Sequence, residues 1–302
     1  MTKPIGLQNA KLPRRQLLLI AGGFALPRLS FALSGADLTA VLSGQGQVQE
    51  EIKSALKKVF PLISFSIDEQ IERKASGITL AVGPASLERC LQAKITGPIF
   101  SIFTSSQSYQ SLVEQFDTRH PIAIFAEPSP HRQFQLIQRI YEKRVTVGCL
   151  LSRETSNQET FLRNAAQSYG LDFVAAMVES ESDVLRDLNR LGSADVILAL
   201  PDGKLYTPSN IRDVLKSTYR RMQPIVGFSP ALVKAGTLAT SYSSIADTVS
   251  DLQDLLVAFS AGRAVESRYP QYWRVSVNES VARSLDVVIP ERVRTMGSNQ
   301  RG

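Results

Sequence analysis

The stretch ADVILALPDGKLYTPSNIRDVLKSTYRRMQPIVGFSPALVKAGTLATSYSS, residues 194–244, alternates apolar runs with marked junctions. The run Val196 to Leu200 stops at Pro201-Asp202-Gly203. Thr207-Pro208 then puts a capping side chain before a proline at the first helical position, where a missing N–H does no harm. Ile211, Val214, Leu215 and Tyr219 follow on one helical face, and a second apolar run, Pro224 to Phe228, comes directly after. Strand, turn, helix and strand in this order make a β-α-β unit of an open parallel sheet. In such sheets ligands sit outside the carboxyl ends of the strands.

The same alternation extends in both directions. Strands are expected at Leu38 to Leu42, Leu62 to Ile67, Ile78 to Val82, Pro98 to Phe103 and Pro121 to Phe125, with amphipathic helices between them. At Arg144 the pattern restarts with strands Val145 to Leu151 and Leu171 to Val178. Two successive series of this kind predict an α/β chain of two doubly wound parallel-sheet lobes joined by a hinge. A first lobe is expected over 35–143, completed by 243–262, and a second over 144–242, completed by 263–290. The helix from Ile245 opens on Ser244-x-x-Asp247, the spacing of a capping box. Residues 291–302 are expected to be disordered.

A chain of 302 residues suits two lobes better than one core. Its net charge of +6 looks like a nucleic-acid signal until the charges are placed. Five of the 34 basic residues (Lys3, Lys11, Arg14, Arg15 and Arg28) lie in residues 1–34, which contain no acid. The remainder is nearly neutral, without a basic stripe interleaved with aromatics, so nucleic acid is not an expected partner. The five flank an apolar run of ten, Leu17 to Leu26, too short to span a bilayer and the length of a signal-peptide core. Small residues follow at Ser30-Phe31-Ala32 and Ala32-Leu33-Ser34. Residues 1–34 are therefore expected to be a signal peptide sending the chain to the periplasm. Arg14-Arg15-Gln16-Leu17-Leu18 also resembles a twin-arginine signal, so the route is Sec or twin-arginine. An uncleaved anchor or a buried helix are the alternatives.

Cys90 and Cys149, the only cysteines, each fall in an apolar pattern and are expected as buried free thiols in different lobes. His120 and His131 alone are too few to build a zinc site, and no metal is expected. Gly44-x-Gly46 after the first strand, with Asp68 ending the next, partly matches a dinucleotide turn, but Gln49 stands where Gly or Ala is required. Gly227-Phe228-Ser229-Pro230-Ala231 misses the nucleophile elbow, and no catalytic triad stands out. A better set lies just past the apolar runs: Ser43, Gly44, Thr104, Ser105, Glu127, Ser152, Asp202, Tyr206, Ser229 and Tyr242. Hydroxyls, turn amides and carboxylates around an interlobe crevice suit a small polar ligand, with Tyr206 or Phe228 as an aromatic wall. No catalytic residue and no cofactor is assigned.

Leu200-Pro201-Asp202, Tyr206, Ile211-Arg212, Tyr219-Arg220, Pro224 to Ser229 and Val233-x-Ala235-Gly236-x-Leu238-Ala239 together resemble the ABC-transporter substrate-binding protein family of the tryptophan/tyrosine-uptake type. The similarity runs from about 78 to 288 and is strongest from Asp195 to Ser241. It returns at Trp273 to Asn278 and Val281 to Leu285, where Asp286 replaces the family's glycine. The resemblance implies a periplasmic-binding-protein type 1-like fold, a small-molecule ligand of amino-acid-like kind, an ABC permease as partner, a monomer and no enzymatic activity. Thr104-Ser105-Ser106 and Ala126-Glu127-Pro128 depart from the family's turns, so amino-acid specificity does not carry over. Three functions follow: a solute-binding protein feeding an importer, a ligand sensor of the same fold signalling to a membrane receptor, and an exported NAD-dependent oxidoreductase. Sequencing the amino terminus of the mature protein should place cleavage between Ala32 and Gly35; an intact Met1 chain in the cytoplasm would refute export.

Overall fold

The computed structural model describes residues 38–67, 77–116 and 121–298. The expected signal segment, Asp68, His120 and residues 299–302 lie outside them. Strands β1 (Leu38–Leu42), β2 (Ser64–Ile67), β3 (Ile78–Val82), β4 (Ile99–Thr104) and β5 (Ile122–Phe125) form one parallel sheet in the order β2-β1-β3-β4-β5. Every residue of β3 is buried, as a strand covered on both faces requires. Helix α1 (Gln47–Val59) covers one face, α2 (Pro84–Gln92) and α3 (Ser106–Phe116) the other.

Strands β6 (Thr146–Ser152), β7 (Asp172–Val178), β8 (Val196–Leu198), β9 (Ile225–Val226) and β10 (Ala239–Tyr242) repeat that order as β7-β6-β8-β9-β10, again parallel. Strand β11 (Trp273–Val277) then joins β10 antiparallel, and β12 (Gly297–Ser298) joins β11. Helices α6 (Val184–Asn189) and α7 (Ile211–Arg220) pack on one face of this second sheet. The other face carries α4 (Pro130–Tyr141), α5 (Glu159–Ser168), α10 (Glu279–Ser284) and α11 (Glu291–Arg294), while α8 (Pro230–Ala235) links β9 to β10. Two parallel sheets, each layered between helices, confirm the α/β two-lobed fold class.

Three elements differ from the sequence expectation. Helix α4, expected in the first lobe, packs on the second sheet: Phe134, Leu136, Ile137 and Ile140 share a core with Val147, Leu151 and Phe173. An amphipathic helix carries a stripe but no address, and only tertiary packing decides which sheet it covers. Second, the tail is ordered as far as 298. Val293 of α11 is fully buried and β12 pairs with β11, because an apolar anchor so close to a sheet edge buries more than it frees. Third, α7 begins at Ile211 rather than Pro208. Thr207 and Asn210 bond each other first, Thr207 N–H to Asn210 Oδ1 at 3.0 Å and Asn210 N–H to Thr207 Oγ1 at 3.3 Å. Cys90 and Cys149 are buried free thiols in separate cores, and burial pushes the Cys149 thiol well up.

The chain passes between the lobes three times: from β5 to α4, from β10 into α9 (Ile245–Ser260), and from α9 to β11. Helix α9 belongs to the first lobe, with Val249, Leu252, Leu255 and Leu256 packed on β1, β3 and β4 and Phe259 edge-on to Phe100 at 5.2 Å. Its capping box forms as the sequence indicates, Asp247 N–H donating to Ser244 Oγ at 3.1 Å and Ser244 N–H to Asp247 Oδ2 at 3.0 Å. The returning segment runs beside β5, Arg268 N–H donating to the Ala123 carbonyl at 2.8 Å and Phe125 N–H to the Arg268 carbonyl at 3.0 Å, and so covers that sheet edge. Because Phe134 is fully buried against the second sheet, Phe134→Ala should lower stability by about 3–5 kcal/mol. Hydrogen exchange should accelerate in β6 and β7 before it does in β1 to β5; the reverse order would place α4 with the first lobe.

Candidate functional site

In an open sheet of order 2-1-3-4-5 the ligand crevice lies between the first and third strands, where successive connections leave on opposite faces. Both lobes have that order, so the rule points to the ends of β1 and β3 in one and of β6 and β8 in the other. At the first, Ser43 Oγ and Ser86 Oγ of α2 lie 2.7 Å apart, joining the two strand ends. Gly44 beside them has φ +76°, a left-handed turn that favours glycine and leaves its amide exposed. At the second, Ser152 N–H donates to Thr155 Oγ1 at 2.9 Å, and Thr155 Oγ1 donates to Asp202 Oδ2 at 3.2 Å. Equivalent points of the two lobes thus carry equivalent chemistry, a hydroxyl bridge from the first strand's end to the third's.

Asp202 is 4% exposed; its other oxygen accepts the Lys204 N–H at 2.9 Å, the turn that Pro-Asp-Gly sets up. It has no ion pair among the described residues, since Lys204 Nζ reaches Glu154 instead, at 2.5 Å. Tyr206 lies below, edge-on to Phe228 at 6.2 Å. Its hydroxyl is buried with no hydrogen-bond partner among the described residues, and burial raises its pKa well above the usual phenol value.

The other candidates divide. Ser105 caps α3, its Oγ accepting the Ser108 N–H at 3.1 Å, and Glu127 holds the next amide, Ser106 N–H, at 2.9 and 3.1 Å. Burial pushes the Glu127 carboxyl above its ordinary value, and the bonds from Ser106 work against that. Both groups are therefore engaged at a helix start rather than open to the crevice. Thr104 is fully buried and its hydroxyl lies 2.9 Å from Ser101 Oγ. The pairing of β4 with β5 shifts register here and Phe103 adopts φ +60°, a bulge that turns Thr104 into the sheet. Ser229 caps α8 through the Leu232 N–H at 3.3 Å, and Tyr242 ends β10 half-buried opposite Arg274.

Residues the sequence did not single out join the lobes. Gln107 of α3 donates from Nε2 to Glu154 Oε2 at 2.8 Å, linking the segment after β4 to the segment after β6. Tyr269, on the returning segment, packs edge-on to Phe125 at 5.3 Å, and burial, with the Glu127 charge adding to it, raises its pKa. Nothing local marks either residue; only the face-to-face placement of the strand ends brings them to the site. The dinucleotide turn fares differently. Gln49 folds back over it, so that a methyl group on Gly46 would sit 3.0 Å from Gln49 Oε1, and the side chain occupies the place of close helix packing.

No family model matches the chain, and no curated protein sequence matches it. Solved structures do. A ligand-free, open substrate-binding protein with adhesive properties from Clostridium difficile superposes with a TM-score of 0.63 at 13% identity, over 85% of this chain and 97% of that one. An ABC domain in complex with L-Trp from Streptococcus pneumonia gives 0.61 at 16% identity, over 87% and 98%. A conserved domain protein from Vibrio cholerae gives 0.59 at 16%, over 88% and 100%. The fold is that of the periplasmic-binding-protein type 1-like substrate-binding proteins. Among the described residues no helix is long and apolar enough to cross a membrane.

The Gln107–Glu154 bond links the two lobes directly, between exposed side chains. A bond of this kind contributes about 0.5–1.5 kcal/mol at most, so Gln107→Ala should shift an open–closed equilibrium by up to roughly tenfold toward open. Small-angle scattering of the ligand-free protein should show a larger radius of gyration for the variant, and an unchanged radius would show that the bond does not hold the lobes.

Proposed function

We propose that this chain is an exported, periplasmic solute-binding protein that captures a small polar molecule between its lobes and delivers it to an ABC importer. The observation that supports this most is the repeat of one site geometry on two lobes joined by three crossings. In this reading Ser43 and Gly44 meet the ligand from one side and Ser152, Asp202, Tyr206, Ser229 and Tyr242 from the other, while Ser105 caps α3 behind the crevice. A ligand touching both sides is bound more tightly in the closed state and so shifts the lobes toward it. Thr104 and Glu127 serve this site from behind, by holding β4 and α3 in place.

The polar groups suggest what is bound. Asp202 is a buried carboxylate with no ion pair among the described residues, and an amine on the ligand supplies a direct counter-charge, with Tyr206 or Phe228 against its apolar part. This matches an amino-acid-like solute, the ligand class of the Streptococcus structure, whose L-Trp is bound to that protein. Binding rather than catalysis accords with the Clostridium structure, a substrate-binding protein, and with the L-Trp complex from Streptococcus.

Protein purified from its own periplasm should carry a small molecule that native mass spectrometry detects as an added mass. Re-adding that molecule to the stripped protein should shrink the radius of gyration. Absence of any added mass, with scattering unchanged across a panel of amino acids and sugars, would refute capture between the lobes.

A further inference from the structure

The apolar face of helix α7, Ile211, Val214, Leu215 and Tyr219, is turned inward only in part. Val214 is fully buried, but Ile211 and Leu215 are half-covered and Tyr219 is 36% exposed. These three recur every fourth residue and form a stripe along the helix. One position round, Arg212, Lys216 and Arg220 recur with the same spacing and are all exposed. The two stripes line a groove of about 720 Å³ that continues over Ala235 and Gly236 at the end of α8. Gly236 has φ +130°, and a Cβ there would stand 3.5 Å from Leu215 Cδ1, so glycine both permits the turn and keeps the groove floor low.

The cations are locally in excess. Beyond residues 1–34 the chain carries 29 basic and 28 acidic residues, so its background is neutral. Among the described residues neither Arg212 nor Arg220 has an ion pair. Lys216 holds Asp213 at 3.5 Å with both side chains mostly in solvent, a pair of small worth. An apolar groove beside a row of unspent positive charge has one complementary occupant: a helix with apolar residues on one stripe and carboxylates on the next.

We propose that the α7 groove docks an acidic amphipathic helix of a protein partner. From Ile211 to Tyr219 the stripe is about 12 Å long, two turns of helix, which a partner helix matches turn for turn. A membrane surface fits less well, because lipid insertion needs apolar side chains that project, and here Ile211 and Leu215 lie within a concavity. The groove lies outside the crevice, and the inference holds whatever solute the lobes bind.

The test uses three probes titrated into the isotopically labelled mature chain: a synthetic helical peptide with leucine at every fourth position and glutamate beside each, its lysine-for-glutamate counterpart, and phosphatidylglycerol vesicles. The acidic peptide should shift the amide signals of residues 208–220 and 235–236, bind at least tenfold more tightly than the basic one, and weaken as salt rises. R212E/K216E/R220E should abolish that binding with the melting temperature unchanged. If that triple variant fails to fold, R212A/R220A should reduce affinity severalfold. Equal affinity for both peptides, shifts elsewhere on the surface, binding of vesicles in place of the peptide, or full binding by a folded variant would each overturn the proposal.

Discussion

The relation between the lobes depends on a buried carboxylate at the point where the chain crosses back. Asp247 begins α9, a first-lobe helix, and accepts two bonds from Arg274 of β11, a second-lobe strand, at 2.8 and 2.7 Å. It also takes the Ser244 hydroxyl at 2.6 Å. Burial raises the Asp247 carboxyl, but these bonds outweigh it and hold it below its ordinary value. A carboxylate depressed in the folded state lends stability above its unfolded pKa of about 3.9 and loses it as pH falls through the folded value. The clamp is therefore fully engaged at neutral pH. One turn on, Asp251 accepts the Gln271 N–H at 2.6 Å and is held by Arg268. Together these acids pin the third crossing to the first half of α9 and so tie the two lobes to each other there.

The repeated strand order determines which strand ends each lobe offers. Each sheet brings its first and third strands to a point where the connections part, and each does so with a hydroxyl bridge. The remaining polar groups at the strand ends are mostly engaged in making those ends rigid. Ser105 and Glu127 secure α3, Ser229 secures α8, and the bulge at Phe103 turns Thr104 inward. A crevice whose walls are capped helices and closed turns presents few adjustable groups, and under the proposed function specificity rests with Asp202, Tyr206 and the aromatic rings near them.

The elements were legible because their signals are local. Apolar runs bounded by Pro, Gly and Asp give strands, and Ser244-x-x-Asp247 gives the cap that α9 uses. What was not legible depends on long-range juxtaposition. The stripe of α4 is as suited to one sheet as to the other until Phe134 meets Phe173. Val293 near the carboxyl end reads as an isolated apolar residue until the second core covers it. Among site residues, Ser43, Ser152 and Asp202 could be found from their position after strands. Gln107 and Glu154 could not, since their encounter depends on the lobes facing each other and on nothing in either segment.

A short segment with several internal hydrogen bonds connects the candidate crevice to the α7 groove. Asp202 is tied to the Lys204 amide, and its carbonyl accepts the Tyr206 N–H at 3.2 Å. Tyr206 is buried, Thr207 and Asn210 bond each other, and the Thr207 carbonyl accepts the Ile211 N–H at 3.0 Å, where the helix begins. If a ligand displaced Asp202 or Tyr206, this segment would be the route by which the displacement reached the first turn of α7 and the stripe of Arg212, Lys216 and Arg220. Coupling of two sites requires such a shared element with different positions in the open and closed states. Among the described residues the loop from Asp202 to Ile211 and helix α8, with its caps Ser229 and Gly236, each run from the candidate crevice to the groove.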